Sequence, residues 1–300
     1  MSYLDSASLH VGLVGYGEVG KIFTQALAAK GLASVGAWDL RFKDAREGAQ
    51  QRAHAAQAGI TAHDGAAALC AQANLIISAV TASNTLAVAR EVAASIRPGS
   101  IFLDLNSASP GTKAQAAQLI DATGAHYVEA GVMTSVPPYG LAVPMLLGGA
   151  QAASLAETLR ALGCDATVVA TEIGVASSIK MCRSVMIKGL EALVIESYTT
   201  ARRYGVEKAM LATMAETFPG IDWEKQGAYF FSRVAQHGQR RSEEMAEAAV
   251  TVREAGFEPT MAAAISQKHG WMAGKAQAGV FEGIGKNAVW QEYADRLLKG

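Results

Sequence analysis

Gly15, Gly17 and Gly20 stand in the spacing G-x-G-x-x-G, directly after the apolar run from Leu9 to Val14 and directly before the helix-forming segment from Lys21 to Ala29. The first glycine of such a pattern permits a tight turn, the second lets the backbone approach a pyrophosphate, and the third lets helix and strand pack closely. The helix start that follows offers unpaired N–H groups and a positive dipole end to phosphates. Tyr16, Glu18 and Val19 fill the intervening positions and join the glycines as candidate cofactor-binding residues. Asp39 ends the next β-rich run, Ser34 to Asp39, 19 residues beyond Gly20. A carboxylate there accepts hydrogen bonds from the ribose hydroxyls of NAD. Arg41, Lys43 and Arg46 follow closely and could neutralise a 2′-phosphate, so the pattern favours NAD and leaves NADP possible. Val80 and Thr81 follow the run from Asn74 to Ala79, at a strand end where an open α/β sheet places its ligand.

A second constellation lies at Lys180, inside a segment from Gly174 to Tyr204 that reads as one long helix. Ser184 is four residues on and shares its face, with Lys188 next along it. Ile179, Met181, Cys182 and Val185 surround the lysine with apolar company. The helix therefore reads as buried on most sides, where a lysine needs a function or a partner, and Cys182 reads as a small core residue. Proton transfer is the chemistry such a lysine can do. An ordinary ammonium titrates near about 10.4, so burial and the neighbouring charges of Arg183 and Lys188 would have to lower it for a base to work near neutrality. Further on, His237, Arg240, Arg241 and Glu244 fall at i, i+3, i+4 and i+7, one helical stripe provided Gly238 does not break the helix. Its cations suit an acidic substrate, with Arg fitted for bidentate carboxylate recognition.

The elements that must position these residues follow from the chain's patterning. With 300 residues, two domains of roughly 150 each are expected. Lys and Arg number 26 against 27 Asp and Glu, a net charge of −1, which gives no electrostatic footprint for nucleic acid or an anionic membrane. The partner expected is a small molecule. The uncharged stretches from Gly65 to Ala89 and from Ala130 to Ala156 are interrupted by polar residues, prolines and glycines, so neither reads as a membrane span. Met1 to Asp5 shows no basic start before an apolar run, and the expected location is the cytoplasm. Three cysteines without C-x-x-C spacing and six histidines without paired spacing give no metal site.

Up to about Ala170, short β-rich runs alternate with alanine-rich helical segments, the pattern of a mostly parallel, doubly wound sheet covered by helices. The runs are Leu9–Gly15, Ser34–Asp39, Asn74–Ala79, Ser100–Asp104, Ala125–Glu129, Val143–Leu147 and Ala166–Ala170. Beyond Gly174 the strand signals stop, and helices separated at Gly205, Pro219-Gly220, Gly238, Gly256–Pro259 and Gly279–Gly285 are expected. The division is a Rossmann-type domain over 1–172 and an all-helical substrate and dimerisation domain over 173–300.

The N-terminal glycine motif, the segment from Leu103 to Pro110, the helix start at Gly174 with Lys180, and the helical second half occur in the order found in the β-hydroxyacid dehydrogenases and their larger relative, 6-phosphogluconate dehydrogenase, and the chain resembles that family over most of its length. The C-terminal helices resemble a helical domain of uncharacterised type found behind similar NAD-binding halves. The resemblance implies that Lys180 is the general acid/base, that Ser184 positions substrate where the family usually has asparagine, and that Asn106 belongs to the cofactor site. It also implies that Met133, Thr134 and Ser135 bind substrate where the family usually has D-x-P-V-S-G-G, with side chains in place of its paired glycines. A homodimer is expected, with Leu190, Leu193, Val194 and Tyr198 at helical spacing along the long helix. The implied reaction is hydride transfer between a nicotinamide and the hydroxyl-bearing carbon of a small hydroxy acid or related alcohol. Imine or carbonyl reduction on the same scaffold, disfavoured for imines by the lysine, and a non-catalytic NAD-sensing protein are the alternatives.

Overall fold

The computed structural model describes residues 8–299; Met1 to Asp5, read above for a targeting signal, lie outside them. The chain divides into two compact units, one ending at Met181 and the other beginning at Cys182.

In the first unit the apolar runs become strands and the alanine-rich segments between most of them become helices. In chain order these are β1 (His10–Val14), α1 (Glu18–Ala28), β2 (Ser34–Trp38), α2 (Gly48–Gln57), β3 (Thr61–Ala62), α3 (Ala66–Cys70), β4 (Leu75–Ser78), α4 (Thr85–Ala93), β5 (Ile101–Asp104), α5 (Pro110–Asp121), β6 (His126–Val132), β7 (Met145–Gly148), α6 (Ala152–Ala161) and β8 (Ala166–Ala170). The eight strands form one sheet in the order β3-β2-β1-β4-β5-β6-β7-β8. The order reverses between β1 and β4, so the crevice beyond their C-terminal ends is the point where such a sheet takes a ligand. All pairings are parallel except β6 with β7. Only a loop with one short 3₁₀ turn, Gly140–Ala142, joins those two strands, and without a covering crossover helix the chain returns antiparallel. The two-residue β3 had no counterpart among the expected strands. Strands buried on both faces explain the continuous apolar runs: Leu75, Ile76 and Ile77 of β4 and Phe102 and Leu103 of β5 are all fully buried or nearly so.

α7 (Val175–Tyr204) begins in the first unit and continues into the second, followed by α8 (Glu207–Thr217), α9 (Trp223–Glu254), α10 (Thr260–Gln277) and α11 (Trp290–Lys299). The second unit is helical around a core of Val194, Ile195, Tyr198, Phe230, Phe231, Trp290 and Tyr293. The break expected at Gly238 falls one residue earlier, at the non-helical His237 (φ −131°, ψ 21°), where two helical stretches meet and are numbered together as α9. Gly238 itself lies so close to α10 that a Cβ would come within 2.9 Å of the His269 carbonyl oxygen.

The long helix is less buried than its composition suggested. Met181 is buried, but Ile179 and Cys182 are exposed, which corrects the reading of Cys182 as a core residue. The expected apolar face also splits: Val194 and Tyr198 enter the helical core, while Leu190 and Leu193 face outward with Met186. No helix among the described residues is long and apolar enough to cross a membrane.

Candidate functional site

The glycine turn between β1 and α1 is shaped by contacts that only glycine permits. Gly15 has φ +101°, and a Cβ on it would fall 2.3 Å from the Ala79 carbonyl oxygen beyond β4. A Cβ on Gly20 would lie 2.0 Å from the Gly15 carbonyl oxygen, so helix and turn could not close. Around Gly17 the space is open: the nearest atom to a Cβ placed there would be Arg41 Nη2, at 3.7 Å. Gly17 also caps α1 without any side-chain hydrogen bond to the helix's first N–H groups. An open backbone cradle at an uncapped helix start fits a pyrophosphate. Glu18 is exposed and Val19 half-buried against the core. Tyr16 contributes backbone here, since its ring is buried against Phe42 and its hydroxyl lies 3.0 Å from His54 Nδ1.

Asp39 sits at the end of β2 beside this cradle. One carboxylate oxygen accepts the Tyr16 N–H at 2.6 Å, and the pair of oxygens receives the Arg41 side chain at 3.1 and 3.2 Å. Burial raises the Asp39 pKa, but the hydrogen bonds from Arg41 and the Tyr16 N–H outweigh it and hold the carboxyl below its ordinary value. The anion is therefore firmly ionised, with a half-exposed guanidinium leaning towards Gly17.

Asn106 stitches the neighbouring loops together. Its side-chain oxygen accepts the Val80 N–H at 2.7 Å and its amide donates to Ser78 Oγ at 2.9 Å, so it fixes the loop in which Val80 stands. Thr81 is exposed and accepts from Asn84 within that loop. Asn106 is itself held by its N–H donating to Asp104 at 2.8 Å. Asp104 is fully buried and ion-paired to the buried Lys113 at 3.0 Å, and it accepts the Tyr127 hydroxyl at 2.6 Å. Desolvation, reinforced by the charge of Asp104, raises the Tyr127 pKa well above its usual value, so the phenol stays protonated and donating.

Lys180 lies in the second turn of α7, buried, with its ammonium donating to Ser107 Oγ just past the end of β5. A second buried carboxylate places that helix. Glu129 Oε1, on β6, accepts the N–H groups of Gly174 at 2.8 Å and Ala176 at 3.0 Å, capping α7 and complementing its dipole. Gly131, two residues on, keeps the approach close: a Cβ there would stand 3.0 Å from the Ala176 carbonyl oxygen and 3.4 Å from Lys180 Cβ. Met133, Thr134 and Ser135 follow directly, partly or fully exposed. Sequence alone pointed to neither Ser107 nor Glu129 as partners of the lysine helix, although both lie in segments that drew attention, the Leu103–Pro110 strand end and the run preceding Met133.

In the helical unit, Ser184 Oγ accepts from Lys188 at 3.2 Å. Arg241 is buried in an ion pair with Glu191 at 2.8 Å, and Arg240 lies 3.7 Å from Glu244. His237 occupies the kink of α9.

Residues 10–174 match the family model of the NAD binding domain of 6-phosphogluconate dehydrogenase, and residues 201–272 match a domain of unknown function, DUF1932. A conserved hypothetical protein from Sinorhizobium meliloti is 37% identical, with 98% of this chain and 97% of that one aligned at a TM-score of 0.76. A 3-hydroxyisobutyrate dehydrogenase from Mycobacterium tuberculosis, solved with L-serine, is 15% identical over 97% and 99% of the two chains at a TM-score of 0.72. A reductive aminase from Aspergillus terreus, solved with NADPH4, cyclohexanone and allyl amine, is 18% identical over 97% and 100% at a TM-score of 0.59. The last two likenesses show the fold alone. With its cradle, its sheet order and more than half its length matched, the chain belongs to the family of the 6-phosphogluconate dehydrogenase NAD-binding domain, joined to a DUF1932 helical domain.

Proposed function

We propose that the protein is a nicotinamide-dependent dehydrogenase that converts the hydroxyl-bearing carbon of a small hydroxy acid or related alcohol to a carbonyl, with Lys180 as general acid/base. The observation that carries this reading is the Lys180–Ser107 hydrogen bond: it holds a buried amine at the C-terminal end of β5, in the unit that contains the dinucleotide cradle. When bound, the nicotinamide supplies the hydride acceptor in one direction and the donor in the other. Neutral Lys180 takes the hydroxyl proton during oxidation, and its protonated form returns a proton to the carbonyl oxygen during reduction. Ser107 fixes where Nζ stands, and Glu129 fixes where the helix bearing it begins. Met133, Thr134 and Ser135 supply side chains to the substrate pocket, and Ser184 positions the substrate. The test is turnover: a panel of hydroxy acids with NAD or NADP should produce reduced nicotinamide, and the Ser184→Ala variant should lose less activity than one lacking the Lys180 amine.

The preferred cofactor on this reading is NAD, because an ionised Asp39 beside the cradle repels a 2′-phosphate and accepts from ribose hydroxyls. Asp39→Ala should weaken NAD binding by about tenfold, the value of a charge-assisted hydrogen bond, and should weaken NADP less. Calorimetry with both nucleotides reads the difference. A greater loss for NADP would mean that Arg41 sets the choice.

The protein is proposed to act in the cytoplasm as a homodimer. Met186, Leu190 and Leu193 are exposed at i, i+4 and i+7 on α7, a stripe that a second copy would cover. Light scattering at micromolar concentration should give twice the chain mass, and Leu193→Asp should shift it towards the monomer. A monomeric wild type would contradict the proposal.

A further inference from the structure

The residue that opens α7 brings no capping side chain. It is Gly174, at φ +105°, where an ordinary N-cap is a Ser, Thr, Asp or Asn whose own oxygen accepts the first N–H groups. The acceptor comes instead from 45 residues away: Glu129 Oε1 takes the N–H groups of Gly174 and Ala176 at 2.8 and 3.0 Å. A local cap moves with its helix and leaves the helix free to shift, whereas a cap held on β6 fixes the helix start against the sheet. Glu129 and Gly131 lie two residues apart on β6 and so on one face of it. The first tethers Ala176, and the second lets the helix come close, since a Cβ on Gly131 would stand 3.4 Å from Lys180 Cβ. Ala176 and Lys180 are both buried, at i and i+4 on α7. The tether and the lysine therefore share a face, one turn apart.

This tether is costly. Glu129 is fully buried, and its second oxygen, Oε2, has no hydrogen-bond partner among the described residues, a penalty that a helix-borne serine cap would avoid. What a local cap would not supply is the tie to β6. Gly148 makes room for it. It stands opposite Glu129 in the antiparallel pair of β6 with β7, where the register with β8 shifts. A Cβ on Gly148 would fall 2.8 Å from Glu129 Oε1 and 3.1 Å from the Glu172 carbonyl oxygen, just ahead of α7. The carboxylate could not swing aside without releasing its two N–H groups.

We propose that Glu129 and Gly148 are positioning residues for the lysine chemistry: Gly148 leaves space for the Glu129 carboxylate, which pins the start of α7 to β6 and thereby sets Lys180 Nζ against Ser107. As a statement about catalysis this rests on the dehydrogenase reading above; as a statement about where the amine stands it does not.

The test compares Glu129→Gln, Glu129→Asp, Glu129→Leu and Gly148→Ala in the full-length protein, each checked for folding by circular dichroism. Misplacing a reacting group by about 1 Å can cost about a hundredfold in rate. Glu129→Asp, one methylene too short, Glu129→Leu and Gly148→Ala should therefore lower kcat by about tenfold or more, with nucleotide affinity changed by less than about twofold. Glutamine keeps an oxygen for both N–H groups, so Glu129→Gln should cost no more than about threefold. The Glu129→Asp/Gly148→Ala double variant should lose no more than the worse single one, because both act through one contact. Should Glu129→Leu not fold, Gly148→Ala with Glu129→Gln carries the comparison. Crystal structures of the variants read the amine directly: the hydrogen bond between Lys180 and Ser107 should persist in Glu129→Gln and be lost in Gly148→Ala. If the wild type turns over no hydroxy acid, the dehydrogenase reading falls and these structures alone decide the positioning. Wild-type kcat in Gly148→Ala and Glu129→Asp, equal losses in Glu129→Gln and Glu129→Leu, or an unmoved Lys180 in Gly148→Ala would overturn the proposal.

Discussion

Lys180→Met is expected to lower kcat by about a hundred- to ten-thousand-fold, the usual contribution of a general acid/base group, while leaving nucleotide affinity nearly unchanged. Methionine keeps the apolar stem that packs beside Gly131 and removes only the ammonium that donates to Ser107. The cradle at Gly15, Gly17 and Gly20 is built from β1, α1 and the end of β4, and the contacts that shape those three glycines do not involve Lys180. Stopped-flow or steady-state absorbance of reduced nicotinamide, with calorimetry for the cofactor, separates the two effects. The direction of the pH dependence follows from the role: in the oxidation direction kcat/KM should fall towards acid as Lys180 takes up its proton, and that limb should vanish in the variant. A variant with near-wild-type kcat would move proton transfer to another group, such as the hydroxyls of Thr134 and Ser135 or the His237 ring.

The largest expected loss of stability comes from Lys113→Met. Lys113 and Asp104 are each about 1% exposed at the side chain and 3.0 Å apart, and the ammonium also donates to the Asp104 carbonyl oxygen at 3.0 Å. Removing the cation leaves a buried carboxylate without its counter-charge, a change that costs about 3–5 kcal/mol. A fall in melting temperature of roughly 6–20 °C follows for a unit of this size. Asp64→Asn, which breaks the exposed pair with Arg52, should cost less than about 1 kcal/mol. Because Asp104 also holds the Asn106 N–H, the lysine variant should loosen the Val80 loop and the Ser107 that follows, and kcat should fall with stability. Thermal denaturation followed by circular dichroism distinguishes the two substitutions, and equal small losses would mean that the buried pair is not what holds the β5 end.

The parts of this arrangement that could be read in the sequence are those written in local spacing. G-x-G-x-x-G with Asp39 beyond it specifies a strand, a turn and a helix through backbone requirements of its own, and Lys180 announced itself as a cation in apolar company within a helix starting at Gly174. What escaped depends on contacts between distant segments. Lys113 looks like an ordinary helix cation until β5 brings Asp104 to it, 9 residues away in the chain. Glu129 reads as a strand-end acid until it meets Gly174, 45 residues on. Periodicity could show that Leu190, Leu193, Val194 and Tyr198 were apolar at helical spacing, but not that the helix divides them between a core and an exposed face. Gly238 marked a break because glycine commonly ends helices; the interruption lies one residue earlier, at His237, and what spacing could not show is that Gly238 itself permits a close crossing with α10. The two-residue β3 was too short to leave any period.

The central claim is that the amine of Lys180 moves a proton to or from a carbinol oxygen, which separates a dehydrogenase from a reductase of imines on the same fold. The most direct measurement is nicotinamide absorbance over a matched panel of hydroxy acids, ketones and cyclic imines, run on the wild type and on Lys180→Met. The account predicts wild-type turnover with at least one hydroxy acid or its ketone, lost in the variant by about a hundredfold or more, and no comparable turnover of imines. Imine reduction by the wild type that survives intact in Lys180→Met, with no hydroxy acid or ketone turned over, would contradict it.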